Sequence, residues 1–347
     1  MSNVIRYAVG RVVRLVLSLF AVSLITFGML QLVPGTFAQL SALSATSLGS
    51  TSGQTDVEAT HVSDPAAWLQ YVTFMRGFLV WNMGPSYKYP QNSVESLIGE
   101  ALPVSLTLAT LAIIVTLLLA VPIGVIAALR KGRLADTGTM FVLTLLQALP
   151  GYLFALLLVL VFSVWLRVLP LSGWESPANL VIPVIALAAY PTAILARYVR
   201  SSMLESLREE YVVAALAKGG KPGTVVVRHV LRNSLIPLVT AVGPIFASLT
   251  IGTVFVEVLL GIPGIGRLFT LAARTRDMPL LMATTLVFAL ILMLVNLLVD
   301  LTYGLLDPRI RHAEQASQRR RLVRRRPERA APASAGLSVS AIQGERP

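Results

Sequence analysis

The sequence predicts an all-α integral membrane protein with six transmembrane helices and both termini in the cytoplasm. Two observations lead to this fold class: long apolar runs, and an uneven distribution of basic residues between the segments that connect them. Hydrophobic residues make up 55% of the chain and charged residues only 13%, with a mean hydropathy of +0.74. Soluble domains carry about twice that charged fraction, so a bilayer is the expected environment.

Six apolar runs are long enough to cross a membrane, which takes about 20 mostly apolar residues. The predicted spans are residues 9–33, 101–129, 138–166, 179–200, 235–260 and 280–304. Arg6, Arg11 and Arg14 precede the first run, as basic residues precede the apolar core of a signal peptide. Its 19 largely apolar residues from Leu15 to Val33 exceed the signal-peptide core of about 7 to 15, so we expect a retained span.

Basic residues predict the orientation of these spans. With a cytoplasmic N-terminus, 23 of the 29 Lys and Arg residues fall in inside segments, including Arg130, Lys131 and Arg133 in the second connection. The outward-facing ones would be Arg76, Lys88, Arg167, Arg267, Arg274 and Arg276. This bias is the positive-inside pattern. Topology and contact with anionic membrane lipid therefore account for the net charge of +12, and no nucleic-acid partner is expected.

The predicted topology divides the chain into four parts. They are the N-terminus and first span (1–33), an extracytoplasmic segment (34–100), a five-helix core (101–304) and a basic cytoplasmic tail (305–347). In the outer segment, Ser41–Thr55 is small and polar and is expected to be flexible. Trp68–Gly84 has apolar residues at helical spacing that favour packing on the outer membrane surface. The tail lacks apolar periodicity, so we expect disorder after residue 311.

Prolines predict that the core helices are bent. They occur at helix starts or inside spans, at Pro103, Pro122, Pro150, Pro183, Pro191 and Pro237. An internal proline removes a helix hydrogen bond and kinks the axis. Membrane helices also tolerate proline well, so no single one of these residues indicates a moving part.

The cytoplasmic segment 201–234 stands out because it is charged and helix-prone between two apolar spans. A short amphipathic helix is predicted from Met203 to Lys218. Its apolar side would hold Leu204, Leu207, Tyr211, Ala214 and Ala215. Gly219 and Gly220 are expected to end this helix in a left-handed cap, and Pro222 to occupy the first turn of a second helix.

Two functions fit this cytoplasmic segment on physical grounds. Its alanines and glycines carry little side chain, so a partner protein could approach the backbone closely, as a helix docked in a groove requires. A helix that rests on anionic lipid is the alternative, and the residues alone favour neither strongly.

Several classes of chemistry are excluded or disfavoured. The chain has no cysteine, and His61, His229 and His312 form no HExxH pattern, so no metal site, cofactor or catalytic residue is predicted. No nucleotide-binding G-x4-G-K-[ST] loop occurs, so the chain is not expected to hydrolyse ATP alone. The spans also lack paired deep charges, which argues against an ion-coupled secondary transporter.

Glu257 lies near the outer end of the fifth predicted span, where water or headgroups would lower the free-energy cost of placing its charge there.

Several motifs in a consistent order resemble the permease subunits of binding-protein-dependent ABC importers of the dipeptide and oligopeptide type. The pattern E-Y-V-x-x-A-x-A-K-G is met by Glu210–Gly219, and R-H-x-L-R-N-x-L-x-P by Arg228–Pro237. Further similar stretches begin at Gly151, Ala196, Val254 and Asn296. The chain departs from the general pattern of the family's cytoplasmic loop at Val213, His229 and Arg232, where the peptide subclass differs.

The resemblance implies an N-terminal helix joined to a five-helix importer core in the inner (plasma) membrane of a prokaryote. It implies that the cytoplasmic segment is a coupling loop seated on an ATPase subunit, with contacts from Glu210, Tyr211, Ala214, Ala215, Lys218, Gly219, His229 and Arg232. It also implies an extracytoplasmic corner formed by Glu257, Pro263, Gly264 and Gly266. A structural role for this corner is favoured over substrate contact. Arg274, Arg276 and Asp277 are expected to form a solvated outer rim or a place to receive a binding protein.

The implied partners are two ATPase subunits or one fused pair, a second homologous permease, an extracytoplasmic solute-binding protein and membrane lipid. Peptides are the expected solute. Permeases of this architecture for nickel chelates or sugars remain the alternatives, followed by a secondary transporter. The substrate-binding residues are not identified by the sequence.

Overall fold

The computed structural model describes residues 2–32 and 66–306, and the predicted flexible stretch Ser41–Thr55 and the tail after residue 311 lie outside them. Regular secondary structure in the described part is helical, apart from an isolated bridge between Pro85 and Ser93. The described residues up to Leu301 belong to one compact unit. Of the second unit, Thr302–Pro347, only the end of the last helix is described.

The helices follow one another through the described residues without an intervening sheet. In chain order they are α1 (Ser2–Gln31), α2 (Ala67–Leu79), α3 (Val94–Leu129), α4 (Leu134–Ala148), α5 (Gly151–Leu158), α6 (Ala178–Ser206), α7 (Glu210–Ala217), α8 (Pro222–Val225), α9 (Leu231–Ser234), α10 (Ile236–Leu260), α11 (Ile265–Thr275) and α12 (Met278–Leu306). Stretches of π-helix follow α5 (Val159–Trp165) and join α8 to α9 (Val226–Val230).

The predicted spans are confirmed, with one correction. In the described part of the chain, α1, α3, α6, α10 and α12 are long and apolar enough to cross a membrane. The third predicted span, residues 138–166, is not one straight helix, because α4 and the α5 region meet at an angle of 105°. The bend lies at Pro150, whose ring disfavours a helical conformation in the preceding residue. Leu149 is accordingly extended, with ψ of 126°.

Small residues bring the two central spans together. Helices α3 and α6 form the most extensive helix pair, and α10 packs across both. A Cβ added to Gly124 of α3 would lie 2.6 Å from the carbonyl oxygen of Ala196 and 2.6 Å from Cβ of Val199 on α6. Such small residues let helix backbones approach closely in lipid, where van der Waals packing drives association.

Helix α2 (Ala67–Leu79) confirms the helical spacing predicted in Trp68–Gly84 except for its last five residues, and it packs against α1. The hydroxyls of Ser23 and Tyr71 lie 2.7 Å apart, and the Tyr71 ring meets that of Phe27 edge to face with centroids 5.4 Å apart. The far end of α2 buries Phe78 in a cluster with Ile98 of α3 and residues of α11 and α12. Helix α2 is thereby joined to the core.

Candidate functional site

The segment 201–234, predicted to be cytoplasmic, is helical but divided differently from the prediction. The helix expected from Met203 to Lys218 is in fact two, because α6 continues to Ser206 and α7 begins at Glu210. Glu209 between them is extended, with ψ of 146°. Apolar periodicity reports which side of the chain faces the core and not whether the backbone is continuous, so the break left no sign in the pattern.

The break also changes which residues of α7 face the protein. Val212 is 4% exposed and packs in the same buried cluster as Met203, Val225 and Val230. Tyr211 and Ala214, predicted on the apolar side of the helix, are exposed, and Ala215, predicted on the same side, is partly buried. Val213 is 63% exposed and Leu216 is exposed as well. Helix α7 therefore presents apolar side chains and alanines outward, while the buried Val212 and the partly buried Ala215 pack against the core.

The glycine corner after α7 has the predicted geometry. Gly219 has φ of +85°, a left-handed conformation that favours glycine, and a Cβ added there would meet no described atom within 4 Å. Gly220 is close-packed instead, since its Cβ would lie 2.8 Å from the carbonyl oxygen of Ala215. Gly219 thus sets the turn, and its outer side is open.

The second helix of the segment begins at Pro222, as predicted, and its charged residues lie on the surface. Pro222 occupies the first turn of α8. Arg228 and His229 belong to the π-helical turn and Arg232 to α9, and all three are exposed. Of the eight residues predicted for the coupling loop, seven are exposed and Ala215 is partly buried.

The corner between α10 and α11 is built around Glu257. Its carboxylate accepts hydrogen bonds from the Ser105 hydroxyl at 2.6 Å and from the backbone amides of Gly266 at 2.8 Å and Arg267 at 3.2 Å. These amides lie in the first turn of α11, where backbone N–H groups lack helical partners and the helix dipole favours negative charge. The Ser105 hydroxyl accepts a further bond from the Ile265 amide at 2.9 Å.

We expected water or lipid headgroups to lower the free-energy cost of placing the Glu257 charge near the end of a span. This expectation was wrong. Glu257 is 0% exposed, and protein hydrogen bonds replace its solvent. Glycine is required at both predicted glycine positions of the corner, because neighbouring atoms approach the backbone closely there. A Cβ on Gly264 would lie 2.3 Å from the Glu257 carboxylate, and one on Gly266 would lie 2.5 Å from the Cα of Val254. Pro263 is exposed beside them.

The expectation of a solvated rim was wrong for Asp277, which is 0% exposed, although Arg274 and Arg276 are exposed. The Asp277 carboxylate accepts hydrogen bonds from the Ser86 hydroxyl, from the Lys88 amide at 3.0 Å and from the Leu280 amide at 3.2 Å. The bond from the Leu280 amide caps the N-terminus of α12. The sequence signals this cap by an aspartate shortly before Pro279, at the start of the helix. The bonds to residues 86 and 88 span 189 to 191 positions and leave no local signal.

Burial of Tyr87 and the nearby Asp277 charge together raise the pKa of the Tyr87 phenol above its ordinary value. Tyr87 is therefore neutral at physiological pH. Among residues 2–32 and 66–306, no three His, Cys, Asp or Glu side chains come together as metal ligands would.

Comparison with known proteins decides what kind of chain this is. Residues 120–312, more than half of the sequence, match the family described as binding-protein-dependent transport system inner membrane component. The chain belongs to this family. It is a multi-pass permease of the inner membrane, a transport subunit and not an enzyme.

Named relatives are similar in sequence to the permease along nearly their whole lengths. The dipeptide transport system permease protein DppB of Bacillus subtilis is 36% identical over 307 residues, covering 88% of this chain and 98% of that protein. The protein of the same name in Lactococcus lactis is 36% identical over 308 residues, with 88% and 99% covered. The oligopeptide transport system permease protein OppB of Escherichia coli is 31% identical over 312 residues, with 89% and 100% covered.

The permease also contains a polar contact between α4 and α6 that sequence reasoning missed. Asp136, in the first turn of α4, is 3% exposed and accepts a hydrogen bond from the Gly132 amide at 3.0 Å. Arg200 of α6 binds the same carboxylate. One turn earlier, Arg197 donates to the Thr144 hydroxyl at 2.7 Å. The partners are more than 50 residues apart, so no motif or spacing connects them.

Proposed function

We propose that this permease forms half of the membrane pathway of an ATP-driven importer for dipeptides or oligopeptides. The similarity to dipeptide and oligopeptide permeases over nearly their full lengths supports this solute class. The relatives favour neither nickel chelates nor sugars, nor a secondary transporter. A second homologous permease would form the other half, and an extracytoplasmic solute-binding protein would deliver the peptide.

The cytoplasmic segment couples the permease to ATP hydrolysis. The single observation that carries this role is the outward apolar face of α7, with Val213 and Leu216 exposed while Val212 is the one fully buried residue of the helix. A helix that lacks cover on its apolar side and has small alanines beside it fits a groove in a partner protein. We assign that groove to the ATPase subunits, present as two chains or one fused pair.

Coupling requires the ATPases to bind two states of the permease with different affinities. A partner that binds both states equally shifts no equilibrium, however tightly it binds. Helix α7 follows α6 after only three residues, 207–209, and Val212 fixes it to the buried cluster that contains Met203 of α6. Movement of α7 with its ATPase would therefore be passed to the membrane helices, changing which side of the membrane the pathway opens to.

Co-purification tests the coupling role. The variant that combines Gly219→Pro with Ala215→Glu should lose the ATPase subunits, because proline is incompatible with φ of +85° and glutamate adds bulk and charge. The matched control is Ala273→Glu, which places the same charge on an exposed helical alanine of α11. Undiminished ATPase recovery with the double variant would contradict the assignment, as would equal loss with the control.

A transport assay tests the solute class. We expect the binding protein that works with this permease to carry bound peptide, and cells that lack the permease to lose uptake of that peptide. Identification of the ligand by mass spectrometry is the direct measurement. A sugar or a nickel chelate in the binding protein, with unchanged peptide uptake, would replace the peptide assignment and leave the coupling role intact.

A further inference from the structure

A cavity of about 460 Å³ lies between α3, α4, α5 and α6, away from the cytoplasmic segment and the corner. Its wall on α3 is a stripe of Val115, Leu119, Ile123 and Ile126, spaced so that all four share one helix face. Leu119, Ile126 and Val142 are about half exposed, so the cavity is a groove that opens to the side of the helices. A groove with such walls suits a hydrocarbon chain.

The length and position of the groove correspond to one leaflet. Val115 and Ile126 are eleven residues apart, which is roughly 16 Å at about 1.5 Å per residue. Half of a hydrocarbon core of about 30 Å is about 15 Å. A spanning helix of a second permease would need a groove through both leaflets, whereas an acyl chain needs only this depth.

Cations lie at the cytoplasmic end of this groove. Ile126 is one helical turn before Arg130, and the lining residue Gly138 lies in the second turn of α4, after the connection that holds Lys131 and Arg133. All three basic side chains are exposed. Basic residues next to an intramembrane cleft on the cytoplasmic side are suited to anionic lipid headgroups.

We propose that this groove binds one anionic phospholipid of the inner leaflet. Its acyl chain lies along the α3 stripe, and its phosphate lies at the connection of Arg130, Lys131 and Arg133. The site would tie permease packing to the lipid composition of the membrane, because its walls belong to α3 and α6, which form the core, and to α4.

One polar group in the groove can distinguish whether the occupant is an acyl chain or a polar molecule. Thr192 is 4% exposed, and its buried hydroxyl has no hydrogen-bond partner among the described residues. An acyl chain offers it none, so Thr192→Val should leave lipid binding unchanged or strengthen it. A polar solute in the groove would bond to this hydroxyl, and the same substitution would then weaken occupancy.

Photo-cross-linking tests the proposal on the full-length permease, expressed with the other subunits of its transport system. The probes are phosphatidylglycerol and phosphatidylcholine, each with a diazirine in the acyl chain, and the products are mapped by mass spectrometry. We expect phosphatidylglycerol to label the groove faces of α3 and α4 several-fold more than phosphatidylcholine. Equal labelling by the two lipids, or no labelling of these faces, would overturn the proposal.

Two variants and a control locate the site. Gly138→Leu fills the groove, since an added Cβ meets no described atom within 4 Å, and should abolish the labelling. Gly28→Leu makes the same change on an exposed part of α1 and should leave it intact. Arg130→Gln combined with Arg133→Gln should remove the preference for phosphatidylglycerol. If Gly138→Leu fails to assemble, Ala189→Leu fills the groove from the α6 wall.

A second permease in the groove is the competing occupant, and the absence of cysteine makes it testable. Gly138→Cys introduces a unique thiol. We expect a thiol-reactive lipid to label it in the assembled importer. A thiol–amine cross-link from this position to the partner permease, without lipid labelling, would overturn the proposal and assign the groove to the permease interface.

Discussion

Arg200 and Asp136 form a two-pronged ion pair that joins the last two turns of α6 to the first turn of α4. Arg200 Nε lies 2.7 Å from one Asp136 carboxylate oxygen, and Nη2 lies 2.7 Å from the other. Paired parallel bonds of this kind fix orientation as well as distance. The pair sits six residues before the end of α6, so it holds α4 to the helix that leads into the cytoplasmic segment.

Breaking this ion pair should destabilise the permease. Asp136→Ala leaves Arg200 without its carboxylate, and removing one partner of a fully buried pair costs about 3–5 kcal/mol. The Arg200 side chain is 25% exposed, so water offsets part of the loss and we expect roughly 2 kcal/mol. Thermal unfolding of the purified permease measures the change. In a double-mutant cycle, Arg200→Ala should add little to Asp136→Ala, and fully additive losses would show that the pair is not coupled.

Adding a methyl group at Gly124 should destabilise the packing of α3 on α6. The nearest atoms are the backbone oxygen of Ala196 and Cβ of Val199, which cannot move without the α6 backbone. Overpacking of this kind costs about 1–3 kcal/mol. Gly99→Ala is the matched control on the same helix, because its added Cβ meets no described atom within 4 Å. The melting temperature should fall for Gly124→Ala and stay level or rise for the control.

Glu257→Leu should disrupt the corner between α10 and α11 far more than Glu257→Gln. Leucine leaves the Ser105 hydroxyl and two α11 amides without an acceptor, at about 1–3 kcal/mol for each buried group. Glutamine keeps one acceptor oxygen, so its effect should be intermediate. Glu175→Leu, at an exposed position, serves as the control and should change stability little. If neither Leu nor Gln at position 257 lowers stability more than the control does, the carboxylate does not hold the corner.

Removing the Asp277 carboxylate should release the connection between α2 and α3. Asp277→Ala takes the acceptor from the Ser86 hydroxyl and the Lys88 amide, and it removes the cap of α12, which is worth about 1 kcal/mol. Limited proteolysis should then cut near residues 85–93 faster than in the unaltered protein. Arg274→Ala, three residues away and exposed, should show the original rate. Equal rates in all three proteins would show that this carboxylate does not restrain the connection.

Local patterns accounted for the spans but not for the contacts between them. Predicted residues 235–260 and 280–304 correspond closely to α10 (Ile236–Leu260) and α12 (Met278–Leu306), because hydropathy depends on consecutive residues alone. The glycine turn at Gly219 and the start at Pro222 were also predictable, since both follow from backbone preferences. The bend at Pro150 was signalled by proline, although its angle was not.

The missed features all join residues distant in sequence. Burial of Glu257 depends on Ser105, 152 positions away, and burial of Asp277 depends on Ser86. A charged residue near a span end looks solvated until another helix covers it. The division of the predicted helix at Met203–Lys218 was missed for a related reason. Packing of Val212 in the core cluster sets the register of α7, and the apolar period alone does not specify it.

The sequence by itself determined the membrane class, the number of spans, the family and the position of the cytoplasmic segment, because these depend on composition and short motifs. The inside orientation and the coupling role of that segment stay predictions from the same source. Only the tertiary structure decided that Glu257 and Asp277 are buried, that Arg200 binds Asp136 and that a lateral groove runs along α3. Each of these depends on which faces of the helices meet, and the packing of the whole core decides that.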